Sequence, residues 1–242
     1  MKLLITALHT PVDMTNNNEY TYKVVEHFIS INGEGRRAGQ LAMFIRFAGC
    51  NLNCEYCDTK WANEKNVEYK EHTSEELVDI IQESGVKNIT LTGGEPLIQE
   101  GIGYLLERLR KLEDIRVEIE TNGSVNIKPY MKNEPDNVSF TLDYKTGASG
   151  MERKMCLDNY KNVRSQDTVK FVVGSIEDIE QTNRIINQYN LTKKGCGIYI
   201  SPCFGKIEPE EIVKYLVEHR LNDVNVQLQL HKYIWDPDKR GV

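Results

Sequence analysis

Short apolar, β-branched runs alternate along the chain with longer stretches whose apolar positions recur at helical spacing. The runs at 23–30, 42–47, 87–92, 115–120, 138–143, 168–173, 197–201 and 224–230 predict strands. Between them, 74–84, 99–112, 153–161, 176–190 and 208–219 predict helices. Several helix ends carry their own signals. Thr73 followed by Glu76 reads as a capping box, and Gly85 as the stop of the same helix. Pro209 stands where a first-turn proline is tolerated, with Glu210 and Glu211 at the positive helix end. Strand–helix–strand alternation predicts a parallel sheet with right-handed crossovers. About six such units suffice for an open, partial TIM-like β/α barrel and are too few for a closed eight-unit one. The fold class expected is therefore α/β.

Residues 1–23 are polar and rich in Asn at 16–18, and are expected to form a loosely structured extension. One domain is expected over 24–242, because no repeat or low-complexity linker divides it. The opening MKLLITALHTP has a short apolar run with no clean small-residue cleavage site, so a cytoplasmic protein is expected. Met14 offers an alternative translation start.

Composition narrows the function classes. The 242 residues are 40% apolar and 27% charged, with a net charge of −6. No long basic run suggests a nucleic-acid partner, and the acidic balance disfavours an anionic membrane surface. No apolar stretch approaches the roughly 20 residues of a membrane-spanning helix. The 6 cysteines show no disulfide framework.

Three of those cysteines carry the candidate chemistry. Cys50, Cys54 and Cys57 follow the strand Met43–Phe47 directly, in the spacing C-x3-C-x2-C. Three thiolates on one tight loop can hold three corners of a [4Fe–4S] cluster. The fourth iron then lacks a protein ligand, and an open coordination site is what a catalytic metal centre needs. The competing reading is structural zinc, which would need a fourth ligand from Cys156, Cys196, Cys203 or a His. Otherwise those three later cysteines read as plain thiols.

Later strand ends add candidates. Thr92-Gly93-Gly94-Glu95-Pro96 follows a strand, and two glycines there permit close backbone approach to a ligand or simply make a tight turn. Glu118 and Glu120 share a strand face, so Glu120 is either a pocket carboxylate or a solvated strand-end charge. Asp143-Tyr144-Lys145, Val173-Gly174-Ser175 and Ser201-Pro202 stand where a barrel places its active-site rim. Asp58 and Thr59 offer oxygen ligands for Mg2+, or a helix cap.

With this cysteine spacing and an aromatic at Tyr56, the sequence resembles the radical S-adenosylmethionine superfamily. Further segments narrow the likeness: Ile29–Gln40 with its Gly33-Glu34-Gly35, Arg46, Cys57-Asp58-Thr59, and the tail from Leu228 through His231 and Trp235 to Arg240-Gly241-Val242. From about residue 24 onward the chain is similar to the 7-carboxy-7-deazaguanine synthase (QueE) family.

The resemblance implies a partial barrel of the radical SAM type. It implies a lyase that converts 6-carboxy-5,6,7,8-tetrahydropterin to 7-carboxy-7-deazaguanine with loss of ammonia, feeding queuosine synthesis. S-adenosylmethionine would chelate the open iron, and an electron from the cluster would release a 5′-deoxyadenosyl radical. By position, Ile31, Asn32, Gly33, Glu34, Arg46, Thr92, His231 and Val242 match substrate contacts. Tyr56, Cys57, Asp58, Gly93, Gly94, Glu95, Glu120, Asp143, Tyr144, Lys145, Ser201, Pro202, Cys203 and Phe204 match cofactor contacts. Thr59 matches the Mg2+ ligand. Glu120 and His231 are the candidates for a catalytic role. The implied partners are the pterin, an electron donor such as flavodoxin or ferredoxin, and a second copy in a homodimer. Asn32 departs from the family's usual Gln. The residues keep bland readings as well: Arg46 could pair a core carboxylate, Glu34 could sit in a simple turn, and His231 and Trp235 could be structural. Two rivals stand beside this reading, a glycyl-radical-enzyme activase and a zinc-stabilised binding module.

Overall fold

The computed structural model describes residues 20–133, 135–236 and 239–242. Nine strands form one sheet: β1 Thr21–Ile31, β2 Leu41–Phe47, β3 Lys70–Thr73, β4 Asn88–Gly93, β5 Arg116–Thr121, β6 Val138–Lys145, β7 Thr168–Val173, β8 Gly197–Pro202 and β9 Asn225–Val226. Six helices accompany them: α1 Ser74–Ser84, α2 Ile102–Leu109, α3 Leu157–Asn162, α4 Ile176–Gln188, α5 Pro209–His219 and α6 His231–Ile234. The strand order is β3-β1-β2-β4-β5-β6-β7-β8-β9. From β2 to β9 every pairing is parallel. No pairing among the described residues joins β9 back to β3, so the sheet is an open α/β barrel as expected.

The expected set of about six parallel strands is present from β2 onward, and one edge adds antiparallel strands. β1 pairs antiparallel with both β2 and β3. Residues 32–40 are too few for a crossover and fold as a hairpin loop, closed by Asn32 N–H donating to Gln40 O (2.9 Å) and Gly39 N–H donating to Asn32 O (2.8 Å). β3 escaped sequence reading because Lys70-Glu71-His72-Thr73 is a short, polar edge. The expected loose segment 1–23 is also corrected where it can be tested. Residues 1–19 lie outside the described residues, but Tyr22 is fully buried, its hydroxyl bonded to Ser74 Oγ (3.1 Å) and Gly101 O (2.8 Å).

A period of two along the parallel strands decides which side chains meet a ligand. One face carries Ile89 and Leu91, Val117 and Ile119, Phe140 and Leu142, Val169 and Phe171, Ile198 and Ile200, all buried. Helices cover that face. α2 presents Ile102, Leu105, Leu106 and Leu109 at helical spacing, and α4 presents Ile179, Thr182, Ile185 and Ile186. The opposite face carries Thr90 and Thr92, Glu118 and Glu120, Thr141 and Asp143, Lys170, and Ser201. Burying so many polar groups costs free energy unless each finds a partner, and here they pair across strands.

The helix ends follow the sequence. Thr73 and Glu76 make the reciprocal capping box on α1, and Gly85 ends it at φ 63°. Pro209 is the first residue of α5. α2 is shorter than the expected 99–112 because Gly101 turns left-handed (φ 74°) just before it. α3 starts later than expected, after a separate single turn at Glu152–Lys154. The strand expected over 224–230 ends at Val226. Gln227 keeps one backbone bond to β8, its N–H donating to Ile200 O (2.9 Å), while its side chain clamps the 33–35 loop, accepting from Gly35 N–H (2.7 Å) and donating to Gly35 O (3.0 Å).

Candidate active site

A cleft of about 720 Å³ opens over the carboxyl ends of the parallel strands. That is an ordinary size for a small-molecule site, in the place where open α/β sheets bind ligands. Its walls come from the cluster loop, the hairpin loop after β1, the strand ends and the tail.

The cluster loop is held by two glycines that follow β4. Gly94 N–H donates to Phe47 O (3.1 Å), and Glu95 N–H donates to Gly49 O (2.9 Å). A Cβ on Gly94 would lie 1.7 Å from Gly49 O, and one on Gly93 would lie 2.3 Å from Phe47 O. Gly93 also sits at φ 128°. The expected close approach is therefore real, and the backbone approached is that of the cluster loop itself. Glu95 completes the brace: wholly buried, it accepts from Asn122 N–H (2.7 Å), Thr121 Oγ1 (2.9 Å) and Leu97 N–H (3.0 Å). Burial pushes its carboxyl up to about 7, against the pull of those three donors.

Cys50, Cys54 and Cys57 are free thiols, and all three line the cleft. Leu52 N–H and Asn122 Nδ2 point at Cys50 Sγ (3.4 and 3.5 Å), and Thr59 Oγ1 lies 3.6 Å from Cys57 Sγ. Donors aimed at sulfur suit a thiolate-held cluster, whose properties are tuned by such bonds. Burial raises the Cys50 and Cys54 thiols above their ordinary value. Among the described residues, no three His, Cys, Asp or Glu side chains converge as the ligands of one ion would. The Tyr56 hydroxyl is buried on the cleft wall without a hydrogen-bond partner, and Asn63 Oδ1 is likewise unpartnered. Open thiols beside orphaned polar atoms fit a bound cluster and a polar organic ligand.

The floor is a charge network. Lys170 Nζ bonds Glu34 Oε2 (3.0 Å) and pairs with Asp143 Oδ1 (3.4 Å). Lys145 Nζ bonds Asp143 Oδ2 (2.6 Å). Glu34 also accepts from Ser201 Oγ (3.1 Å) and Gln229 Nε2 (3.3 Å). Burial alone would lift the Asp143 carboxyl, but the two lysines hold it below the usual range. Burial opposes charge on Lys170 and Lys145 as well, yet their carboxylate neighbours keep both ammonium groups above their ordinary value. Glu120 accepts from Thr92 Oγ1 (2.7 Å), and burial raises its carboxyl. Glu118 accepts from Thr141 and pairs with Arg37 (3.5 Å). His231 packs against Gly33, and burial lowers its imidazole, favouring the neutral ring. Arg46 gives its Nε to Glu26 Oε1 (2.8 Å), which uses one of the five donors of a guanidinium. Phe28 and Phe44 stack at 5.1 Å as an apolar wall.

The structure brings together on this cleft Ile31, Gly33, Glu34, Arg46, Tyr56, Asp58, Thr59, Thr92, Gly93, Gly94, Glu120, Asp143, Lys145, Cys203, Phe204, His231 and Val242, with the three cysteines. Five expected contacts lie elsewhere. Tyr144 points to the helix side, edge-on to Tyr160, because it alternates with Asp143 and Lys145. Pro202 follows the same parity, on the face of Ile198 and Ile200. Glu95 is spent on its turn, and Ser201 is buried behind Glu34. Asn32 is buried, with Oδ1 accepting from Thr90 Oγ1 (2.8 Å). Lys170, Gln229, Trp61 and the tail residues Lys239–Gly241 were missed as lining residues. Lys170 had a signal: it is the single charge in Thr168-Val-Lys-Phe-Val-Val, a strand apolar enough to be buried.

A thiol triplet at the mouth of an open parallel barrel defines a radical S-adenosylmethionine protein, and the sequence pattern of the Radical SAM superfamily matches residues 44–173. A 7-carboxy-7-deazaguanine synthase of Clostridium acetobutylicum is 56% identical over 223 residues, covering 91% of this chain and 99% of its own. One from Chlorobaculum tepidum is 34% identical over 229 residues, covering 93% and 100%. The chain belongs to the 7-carboxy-7-deazaguanine synthase family. In fold it is similar to the crystal structure of QueE from Escherichia coli, with a TM-score of 0.65 at 24% identity, over 86% of this chain and 94% of that one. Membership in this family implies a [4Fe–4S] cluster and S-adenosylmethionine, and it removes the zinc-module reading. No helix among the described residues is long and apolar enough to cross a membrane.

Proposed function

We infer that this chain converts 6-carboxy-5,6,7,8-tetrahydropterin to 7-carboxy-7-deazaguanine and ammonia. The observation that carries the reading is the meeting of the three thiols, the Gly93-Gly94 turn, the Ile31–Glu34 loop and Arg46 on one cleft, in a chain of this family. The conversion contracts the pterin ring, breaks a carbon–nitrogen bond and releases that nitrogen without net oxidation. Cys50, Cys54 and Cys57 would hold the cluster, which would supply the electron for reductive cleavage of S-adenosylmethionine.

The chain's own residues bind and orient. Arg46 offers its remaining donors to the substrate carboxylate, where a guanidinium fork matches the acceptor. Ile31, Gly33, Glu34, Thr92, His231 and Val242 line the pterin side. Tyr56, Asp58, Gly94, Asp143, Lys145, Cys203 and Phe204 line the cofactor side. Asn32, Glu95, Tyr144, Ser201 and Pro202 shape those walls from behind. Glu120, with its carboxyl raised by burial and bonded to Thr92 Oγ1, stands at the cleft floor where a proton can be exchanged with the substrate. Thr59 would be the protein ligand of Mg2+, an ion that would help orient the substrate. A flavodoxin or ferredoxin supplies the electron, the enzyme works as a cytoplasmic homodimer, and its product feeds queuosine.

The test is anaerobic reconstitution with iron and sulfide, followed by incubation with the carboxytetrahydropterin, S-adenosylmethionine, Mg2+ and a reductant. Deazaguanine is read by mass and ultraviolet spectrum. A preparation that cleaves S-adenosylmethionine but forms no deazaguanine would overturn the substrate and revive the activase reading.

A further inference from the structure

Residues 239–242 lie across the cleft. Lys239, Arg240, Gly241 and Val242 all line the cleft. Lys239 N–H donates to Asp236 O (2.9 Å), a bond within the tail's own turn. Beyond that turn, among the described residues, these four make one charged or aromatic contact: the Arg240 guanidinium lies 4.1 Å from the centre of the Trp61 ring. Trp61 is no ordinary surface ring. It sits in the single turn Lys60–Asn63 that follows Thr59 directly, and Gly49 N–H donates to Ala62 O of that turn (3.0 Å). The platform for Arg240 is thus hydrogen-bonded to the loop that carries Cys50.

We propose that Arg240 stacked on Trp61 is a latch that holds residues 239–242 across the cleft against the cluster loop, making both positioning residues for the substrate. The proposal rests on the deazaguanine synthase reading, which supplies a substrate that must enter and be enclosed. The strength of the contact suits the task. A guanidinium over an indole at a solvent-exposed position shifts an equilibrium only about 2- to 5-fold. Arg240 is exposed and Trp61 half-buried, so the tail is closed most of the time and opens without help. A buried ion pair would hold it shut. The base of the tail stays fixed meanwhile, because Leu230 N–H donates to Gly33 O (3.2 Å) and His231 fills the space above Gly33. The latch therefore acts on residues 239–242, while Leu230 and His231 stay on the substrate loop.

Two measurements test this on the reconstituted holoenzyme. The first needs no activity: trypsin cleavage at Lys239 and Arg240 is followed by mass spectrometry, since cleavage tracks the population of the open form. Trp61→Ala should raise the cleavage rate about 3-fold and Trp61→Phe, which keeps a ring, by less. The second is kinetic. Arg240→Gln and Trp61→Ala should raise KM for the pterin about 2-fold with kcat unchanged, and Arg240→Lys should recover part of the loss. Cleavage unchanged in both Trp61 variants would overturn the latch. Faster cleavage with unaltered KM would show a contact that positions nothing, and would overturn the proposal too. A wild-type enzyme that makes no deazaguanine while its cleavage responds to Trp61 would place the failure in the substrate reading.

Discussion

Lys170→Met tests the charge network most directly. Lys170 is 9% exposed, with Nζ 3.0 Å from Glu34 and 3.4 Å from Asp143. Methionine keeps most of the aliphatic stem and removes the charge, so packing changes little. The two carboxylates are left in unequal positions. Asp143 retains Lys145 at 2.6 Å, whereas Glu34 retains only the neutral donors Ser201 and Gln229. At 3.0 Å the gross attraction is about 5 kcal/mol for an effective dielectric of 20. Breaking a buried pair by removing one partner costs about 3–5 kcal/mol. Since one of two carboxylates stays paired and Glu34 faces the cleft, the expected loss is about 3 kcal/mol. Glu34→Gln alone should cost a similar amount, by stranding part of the Lys170 charge. Lys170→Met with Glu34→Gln should cost clearly less than the sum, with a coupling of about 2 kcal/mol. The assay is urea unfolding at neutral pH, with equal slopes checked across the four proteins. A Lys170→Met loss below about 1 kcal/mol, or an additive double variant, would refute the reasoning that the lysine neutralises Glu34.

Three further outcomes are expected. Gly94→Ala should abolish cluster assembly, because its Cβ would lie 1.7 Å from Gly49 O and backbone cannot step aside; iron content and the visible spectrum after reconstitution report it, and a full iron complement would contradict the packing argument. Cys54→Ser should likewise lose iron, whereas Cys196→Ser, buried with its thiol on Leu191 O, should retain it by the same iron assay. Glu95 sets a pH dependence: its folded value of about 7 exceeds its ordinary 4.5, so the native state holds a proton that the unfolded chain releases between those values. Its contribution is fully present below about 4.5 and is lost as pH rises through 7, an effect of up to about 3 kcal/mol. Urea unfolding at pH 5 and pH 8 should show that fall in the wild type and a flatter profile in Glu95→Gln; identical slopes would exclude Glu95 as the group responsible.

The chemistry was legible early because it is local. C-x3-C-x2-C, the Gly-Gly turn and the capping box each act within a few residues, and local patterns survive in a linear sequence. The parallel α/β core was legible for a related reason: the helix-facing positions of each strand are apolar at every second residue. Strand parity was also in the sequence. It separates Tyr144 from Asp143 and Lys145, and applying it would have kept Tyr144 off the cleft. The isolated Lys170 was equally open to notice.

Other features depend on partners far apart in the chain. Nothing near Glu95 tells that its carboxylate closes on Asn122, or that Gly94 is fitted to Gly49. The β1–β2 pairing is antiparallel because the nine residues 32–40 can turn the chain but cannot carry a crossover. The Gln227 side chain reached the 33–35 loop, and Arg240 found Trp61 across most of the chain length. The sequence by itself determined the three thiols, the turn that follows β4 and the layered core. Only the tertiary structure decided which polar side chains face the cleft and which brace it, because a buried charge or a glycine contact is specified by its distant neighbour.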